Sequence, residues 1–346
     1  MKERIAIYGA GAMGTVLGAF LTAGGVDVQL ISRNVAHIEG LKTLGARIEC
    51  EAAGKEFVQP VKALTPEEME GKYDVIFLMT KQRENQKTLE FLKEFLSEDG
   101  VVCTTQNGLP EESVAAVLGY EKTYGAAVTF GAKFIGGGKV ALTSTPSAMS
   151  MRVGGYLNDQ SKTERLVRIL SAGKVLSGNE NFATATDNLA GARWSKLAVN
   201  AAFSGLSVVT GLTFGEIAKR KKTKRVALGI LREAICVAKA HGVELEKMQG
   251  YGAEELFGKG GFFQNLKANV LLPIAIKRHK LLRSGMLADL QKGRKCEIDF
   301  IDGMVASMAK KVGECAPLCE KVVEIVHGIE NGLYEISYEN MEFFEN

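Results

Sequence analysis

No uninterrupted apolar segment in this chain of 346 residues reaches the roughly 18–20 residues that a membrane span requires, so no membrane partner is expected. No secretory leader is expected either, since Met1-Lys2-Glu3-Arg4 is charged and runs straight into an apolar strand pattern. The six cysteines, Cys50, Cys103, Cys236, Cys296, Cys315 and Cys319, are scattered without the spacing of a disulfide framework, which fits a reducing cytoplasm. Cys315 and Cys319 are four apart, but Ala316-Pro317 between them reads as a loop and helix start. With no matching His or Cys cluster beside them, no metal is expected.

Charge of one sign is lacking as well. Lys and Arg number 43 against 40 Asp and Glu, a net charge of +3, too mild for a nucleic-acid partner though compatible with an anionic substrate and a polyanionic cofactor. The densest basic run, Lys219-Arg220-Lys221-Lys222-Thr223-Lys224-Arg225, has no interleaved aromatics. It reads as a solvated loop and helix start ahead of the helical pattern Val226–Ala240. From Glu330 to Asn346 the composition turns acidic and aromatic, and a terminal helix with a frayed, partly docked end is expected.

What the chain does have is Gly9-Ala10-Gly11-Ala12-Met13-Gly14, directly after the apolar run Ile5–Tyr8 and directly before a helical pattern from Met13 to about Leu21. Strand, glycine turn and helix start follow in the order that a dinucleotide pyrophosphate requires. Gly9 permits the tight turn, Gly11 lets backbone approach the pyrophosphate, and Gly14 lets helix and sheet pack closely. The helix N-terminus, at Ala12 and Met13, then offers unpaired N–H groups and a partial positive charge.

The second strand, Val26–Ile31, ends in Ser32-Arg33-Asn34, where an NAD site usually places Asp or Glu on the ribose 2′-hydroxyl. A guanidinium there favours a 2′-phosphate, so NADP (NADPH) is the expected cofactor, unless Arg33 is merely a solvated strand-end residue. Tyr73–Met79 reads as a buried parallel strand, followed by a helix around Glu84–Leu96 and the strand Val101–Thr105. Tyr124–Thr129 and Lys139–Leu142 look like later strands, with Gly136-Gly137-Gly138 as a hairpin turn.

From about Asp187 the patterns are helical, with no convincing strand. The fold class expected is α/β: a Rossmann-type doubly wound parallel sheet over residues 1–186, which binds NADP, followed by an all-helical substrate and catalytic domain over residues 187–346.

Ligands of such sheets bind beyond the strand carboxyl ends. Thr80-Lys81-Gln82 and Gln106-Asn107-Gly108 follow two of those ends; Lys81 can hold a phosphate or carboxylate, and Asn107 can bond a nicotinamide or a substrate oxygen. In the helix beginning near Ala192, Lys196, Asn200 and Ser204 recur every four residues as one polar stripe among apolar neighbours. The plain alternative for Lys196 is a lysine whose stem lies along the rim of an apolar surface. Ser284 to Asp299 forms a second polar cluster that includes Asp289 and Glu297, with Gly293 breaking the helix between them.

Taken together these segments resemble the ketopantoate reductase family over almost the whole chain. The matching pieces are Gly9–Gly14, Lys81, Gln106-Asn107-Gly108, Trp194-Ser195-Lys196-Leu197-Ala198-Val199-Asn200, Ser284–Asp289 and Cys296-Glu297-Ile298-Asp299. The resemblance implies NADPH reduction of a 2-oxo acid to a 2-hydroxy acid, most readily ketopantoate to pantoate, with Lys196 protonating the forming alkoxide. It implies substrate contacts from Asn107, Asn200 and Ser284, with Glu297 on a substrate hydroxyl, and it places Arg33 and Lys81 near the adenosine phosphate. The expected partners are that small molecule and, as a homodimer, a second copy of the chain.

Three positions depart from the family pattern. Ser204 stands where a second asparagine is usual, Gly285 where a second serine is usual, and Asp302 where Ile-Asn-Gly is usual. Losing two polar contacts at roughly 1 kcal/mol or more each is enough to redirect the enzyme to another 2-oxo acid. An opine-type or 3-hydroxy acid dehydrogenase and a non-catalytic NADP-sensing protein remain as alternatives. The Lys196, Asn200 and Glu297 set argues against the sensor, which needs no proton donor.

Overall fold

Alternating apolar residues build the sheet from its first strand. In β1 (Ile5–Tyr8), Ile5 and Ile7 enter one apolar cluster while Ala6 and Tyr8 enter another, so both faces of the strand are covered, as a central parallel strand requires. The computed structural model describes residues 3–52, 54–157, 159–247, 252–258 and 262–345. The chain divides into two compact units, Met1–Gln106 with Pro110–Leu189, and Asn107–Leu109 with Ala190–Asn346.

The first unit carries twelve strands among its described residues: β1, β2 (Val28–Ile31), β3 (Ala46–Cys50), β4 (Lys55–Gln59), β5 (Lys62–Leu64), β6 (Tyr73–Leu78), β7 (Leu96–Thr104), β8 (Thr123–Val128), β9 (Ala132–Gly136), β10 (Lys139–Leu142), β11 (Met151–Gly155) and β12 (Ala183–Ala185). Eight form the main sheet in the order β12-β11-β8-β7-β6-β1-β2-β5. Its strands run parallel from β8 to β5, while β11 pairs antiparallel with β8 and carries β12 beside it. The strand order reverses direction between β1 and β6, and that switch point opens a crevice beyond their carboxyl ends.

A second sheet, β4-β3-β10-β9, departs from the sequence pattern, which shows strands at Tyr124–Thr129 and Lys139–Leu142 and a glycine hairpin turn but nothing for β3, β4 or β9; β8 and β10 lie in different sheets, and β10 pairs with β9 instead. The hairpin turn at Gly136–Gly138 lies where expected, all three glycines having positive φ. Strand ends shift modestly: the second strand starts at Val28 rather than Val26, and β7 begins at Leu96, so the preceding helix is Asn85–Lys93.

The second unit is helical, with no strand among its described residues. Its apolar core joins the Leu189–Asn200, Lys221–Ala240, Asp302–Lys311 and Pro317–Glu330 helices, with Leu197, Ile230, Val305 and Val322 nearly or fully buried. Of the Tyr251–Phe263 stretch, Ala253–Phe257 forms a short helix, and Tyr251 and residues 259–261 lie outside the described residues.

Two sequence readings of this unit are corrected together. The basic run is a helix start, as expected, but the helix begins at Lys221 rather than near Val226, and only Arg220 stands between it and the preceding Phe214–Lys219 helix. The acidic tail is a 3₁₀ segment, Tyr338–Phe344, rather than a terminal α-helix. An ion pair and a cation–π contact join the two segments: Lys222 pairs with Glu345, and the Arg220 guanidinium lies 4.9 Å from the Tyr338 ring centre. Asn340 fixes the tail from within, donating to the Val209 and Glu335 carbonyls at 2.9 and 2.8 Å.

Candidate active site

In the first unit the switch-point crevice is bordered by the glycine turn after β1 and by Thr80-Lys81 after β6. Gly9 has φ +109°, and a Cβ there would lie 2.6 Å from the Met79 carbonyl carbon and the Thr80 nitrogen. A Cβ on Gly14 would lie 2.4 Å from the Gly9 oxygen. Both glycines are therefore demanded by the chain's own packing.

Gly11 is different. Its φ is −86°, and a Cβ there would meet only the Gly9 oxygen, at 4.0 Å. Among the described residues none requires glycine at this position, so the space above it is open to a ligand. The Ala12–Ala23 helix starts here with no side-chain cap and no acid in its first turn, leaving the Ala12, Met13 and Gly14 N–H groups without intrahelical acceptors. Bare donors, positive helix end and open space together fit a pyrophosphate.

At the end of β2, Arg33 is largely exposed and its Nη1 lies 3.8 Å from the Glu84 carboxylate. Asn34 caps the Val35–Leu44 helix by accepting the His37 N–H at 3.0 Å, which fixes the backbone beside Arg33. Burial raises the Tyr8 phenol pKa, and the nearby Arg33 charge partly offsets the rise. Lys81 is exposed and opens the Gln82–Glu84 turn.

Behind these loops lies a buried amide pair. Gln106 donates to Asn85 Oδ1 at 2.7 Å and receives the Asn85 amide at 3.1 Å. Gln106 also donates to the Thr80 carbonyl at 2.8 Å and accepts from Thr104 at 3.0 Å, tying the ends of β6 and β7 together. In the sequence Gln106 stands out only as part of Gln106-Asn107-Gly108; its positioning role depends on Asn85, a residue carrying no sequence signal.

In the second unit, Arg193, Trp194 and Ser195 are buried anchors for Lys196. The Ser195 hydroxyl donates to the Glu246 carbonyl at 2.9 Å, and the Trp194 ring stacks on His241 with centroids 6.1 Å apart. Lys196, Asn200 and Ser204 are each half-buried. The sequence reading put them on a continuous α-helix, but Ala201–Gly205 is a π-helical turn between the Leu189–Asn200 and Leu206–Thr210 helices.

That change of pitch matters. Four α-helical residues overshoot one turn by about 40°, so an unbroken α-helix would leave Ser204 about 80° from Lys196. A π turn, with its i→i+5 bonds, holds more than four residues and takes the overshoot back. Ser204 thereby returns toward the azimuth of Lys196, and the three side chains keep one face.

Asn107 belongs with this second unit, where its neighbour Leu109 lies in the same apolar cluster as Trp194 and Leu197. Ser284 is buried and caps the Gly285–Leu290 helix by accepting the Met286 N–H at 3.2 Å, while its own N–H donates to Ser207 at 3.1 Å. Its hydroxyl thus has a structural duty besides any ligand contact. A Cβ on Gly285 would meet nothing within 4 Å.

Gly293, with φ +66°, separates that helix from half-buried Glu297. Glu330 accepts the Cys296 N–H at 2.8 Å and so holds the segment just before Glu297. Among the described residues no group of three or more His, Cys, Asp or Glu is arranged to hold a metal, and no helix is long and apolar enough to cross a membrane.

The family described as ketopantoate reductase PanE/ApbA matches residues 5–154, and its C-terminal counterpart matches residues 188–330. A 2-dehydropantoate 2-reductase of Archaeoglobus fulgidus is 23% identical over 339 residues, covering 96% of this chain and 99% of that protein. One from Mesorhizobium japonicum is 27% identical over 350 residues, covering 96% and 99%. Among solved structures, a D-mandelate dehydrogenase with NADH and anilino(oxo)acetate superposes with a TM-score of 0.80 at 26% identity, covering 95% of this chain and 99% of that one.

Proposed function

The chain belongs to the ketopantoate reductase family, and from that premise we propose that it reduces a 2-oxo acid to the 2-hydroxy acid with NADPH, ketopantoate being the leading substrate. The observation that carries the reading is the stripe of Lys196, Asn200 and Ser204, half-buried on one helix face and held there by the change from α to π pitch. A half-buried lysine with amide and hydroxyl on the same face is a proton donor set for a developing alkoxide.

When bound, the nicotinamide supplies a hydride to the carbonyl carbon. Lys196 polarises the carbonyl oxygen and gives up its Nζ proton as the C–O π electrons become an alkoxide lone pair. Asn107, Asn200, Ser204 and Ser284 bind and orient the oxo acid, and Glu297 accepts from a substrate hydroxyl. Gly9, Gly11, Ala12, Met13 and Gly14 hold the pyrophosphate, and Arg33 and Lys81 serve the adenosine phosphate. A homodimer is part of the same proposal, and light scattering of the purified protein measures it.

A second reading keeps the chemistry and changes the substrate. Ser204 and Gly285 remove two polar groups from the family pattern, and the D-mandelate dehydrogenase neighbour was solved with anilino(oxo)acetate. Cofactor oxidation with ketopantoate beside a panel of branched, unbranched and aromatic 2-oxo acids separates the two. Best turnover with ketopantoate supports the first reading; best turnover with another 2-oxo acid supports the second. No turnover with any oxo acid, from protein that still binds NADPH, overturns both in favour of a non-catalytic binder.

A further inference from the structure

The end of β2 lacks the carboxylate with which an NAD site holds a ribose hydroxyl, but the fold brings one there from elsewhere. Glu84, at the end of the turn following β6, lies 3.8 Å from Arg33 Nη1. We propose that Glu84 is a specificity-determining residue of the cofactor site, opposing a 2′-phosphate at Arg33 and serving the unphosphorylated ribose, so that the chain uses both NADPH and NADH. The inference rests on the proposed role of Arg33 at the adenosine phosphate.

Both partners are set by rigid neighbours rather than by loose loops. Asn85, the residue after Glu84, is 3% exposed and bonded to Gln106 and to Ser113, the latter at 2.8 Å. Asn34, the residue after Arg33, caps its helix. The Arg33 and Glu84 side chains are 69% and 45% exposed, so each is open to an incoming ligand.

A 2′-phosphate carries about −1.5 to −2 charge near neutral pH and must share Arg33 with this carboxylate. The repulsion subtracts from the affinity that Arg33 supplies. A ribose 2′-hydroxyl is neutral, so for NADH the same carboxylate is an acceptor, as Asp or Glu is in NAD sites. Arg33 thus provides the phosphate-binding element and Glu84 the hydroxyl-binding element within one small cluster. Exposure and salt screening limit the effect, so discrimination is modest.

Dissociation constants for NADPH and NADH, read from nicotinamide fluorescence without any oxo acid, test this in the wild type, Glu84→Gln, Arg33→Ala and the double variant. Glu84→Gln is expected to raise the NADPH-over-NADH affinity ratio ~3–10-fold at low salt, less at high salt, and to do so in the Arg33→Ala background as well, since the repulsion and the hydroxyl contact are made by Glu84 itself. If Arg33→Ala lowers the ratio while Glu84→Gln leaves it unchanged, the role of Glu84 is overturned and that of Arg33 stands. If Arg33→Ala leaves the ratio unchanged, the reading of Arg33 fails and takes the inference with it.

Discussion

His37 and Thr15 are joined side chain to side chain, the imidazole Nε2 lying 2.9 Å from the threonine Oγ1, while the other ring nitrogen, Nδ1, accepts the Gly138 N–H at 3.2 Å. The second bond fixes the tautomer: Nδ1 is bare, so the proton sits on Nε2 and the ring is neutral. One residue thereby links the helix that begins at the glycine turn, the helix that follows Arg33, and the β9–β10 hairpin.

Burial lowers the His37 pKa from its ordinary 6.5, with no charge close enough to add to the effect. As pH falls through about 6.5 the unfolded chain binds a proton before the folded ring does. The stabilisation is fully present above that pH and is lost below it, at up to about 1.4 kcal/mol per unit. His37→Gln, which can still donate to Thr15 and accept from Gly138, is expected to flatten this slope. Denaturant titrations between about pH 5 and 8 check it; parallel curves for the two proteins would show that His37 does not titrate in this way.

The three fingerprint glycines divide by cause, and their alanine variants are expected to divide likewise. Gly14→Ala drives a Cβ to 2.4 Å from the Gly9 oxygen and is expected to cost several kcal/mol or prevent folding. Gly11→Ala enters open space, so stability is expected to change by about 1 kcal/mol or less while dinucleotide affinity falls at least ~10-fold. Thermal melting and fluorescence binding on the same samples read the two effects separately. Retained affinity in Gly11→Ala would mean that the pyrophosphate does not approach there.

The parts of the fold that were legible in the sequence are those whose signal is local. The Gly9–Gly14 turn is written in adjacent residues, and the buried parallel strands in continuous apolar runs. β4 was invisible because Lys55 and Glu56 are exposed, and β3 pairs with β10, some ninety residues away. The π turn has ordinary helical composition; it sits where Gly205 meets Asp302 and Val322, both distant in sequence. Glu84 carried no signal because its relation to Arg33 exists only once β6 lies beside β1 and β1 beside β2. The opposite charges of the 219–225 run and the acidic tail were both visible, yet each was read by itself.

If Lys196 is the proton donor, its removal should affect the chemical step and not the dinucleotide. Lys196→Ala is expected to lower kcat by ~10²–10⁴-fold while the NADPH dissociation constant changes less than about threefold. Its neighbours Trp194 and Ser195 carry the local packing, so the variant is expected to fold. Single-turnover kinetics make the comparison directly. An unchanged kcat would remove Lys196 from the mechanism and leave it a rim lysine.

Asp302, where the family pattern has asparagine, is fully buried, and among the described residues neither carboxyl oxygen has a hydrogen-bond partner outside its own residue. A Cβ on Gly205 would lie 2.7 Å from one of those oxygens, so the carboxyl packs directly against the π turn beneath Ser204. Burial pushes its pKa well above 3.8, with the nearby Glu233 adding to the rise. Glu233 is itself raised by burial, although it accepts the Leu318 and Cys319 N–H groups; Glu320 and the Cys319 thiol are the other titratable groups on this side.

The folded state therefore holds the Asp302 proton that the unfolded chain releases near pH 4, and stability falls as pH rises above that value, by up to about 1.4 kcal/mol per unit, until the folded group ionises. Asp302→Asn removes the ionisation while keeping the shape, so it is expected to match the wild type near pH 4 and to be increasingly more stable toward pH 8. Denaturant titrations of the pair across that range give the answer. A constant difference would mean that Asp302 is ionised in the fold, which would require a counter-charge beside it. A growing difference, with kcat of the variant preserved, would show that the acid beneath the π turn burdens the fold without serving the reaction.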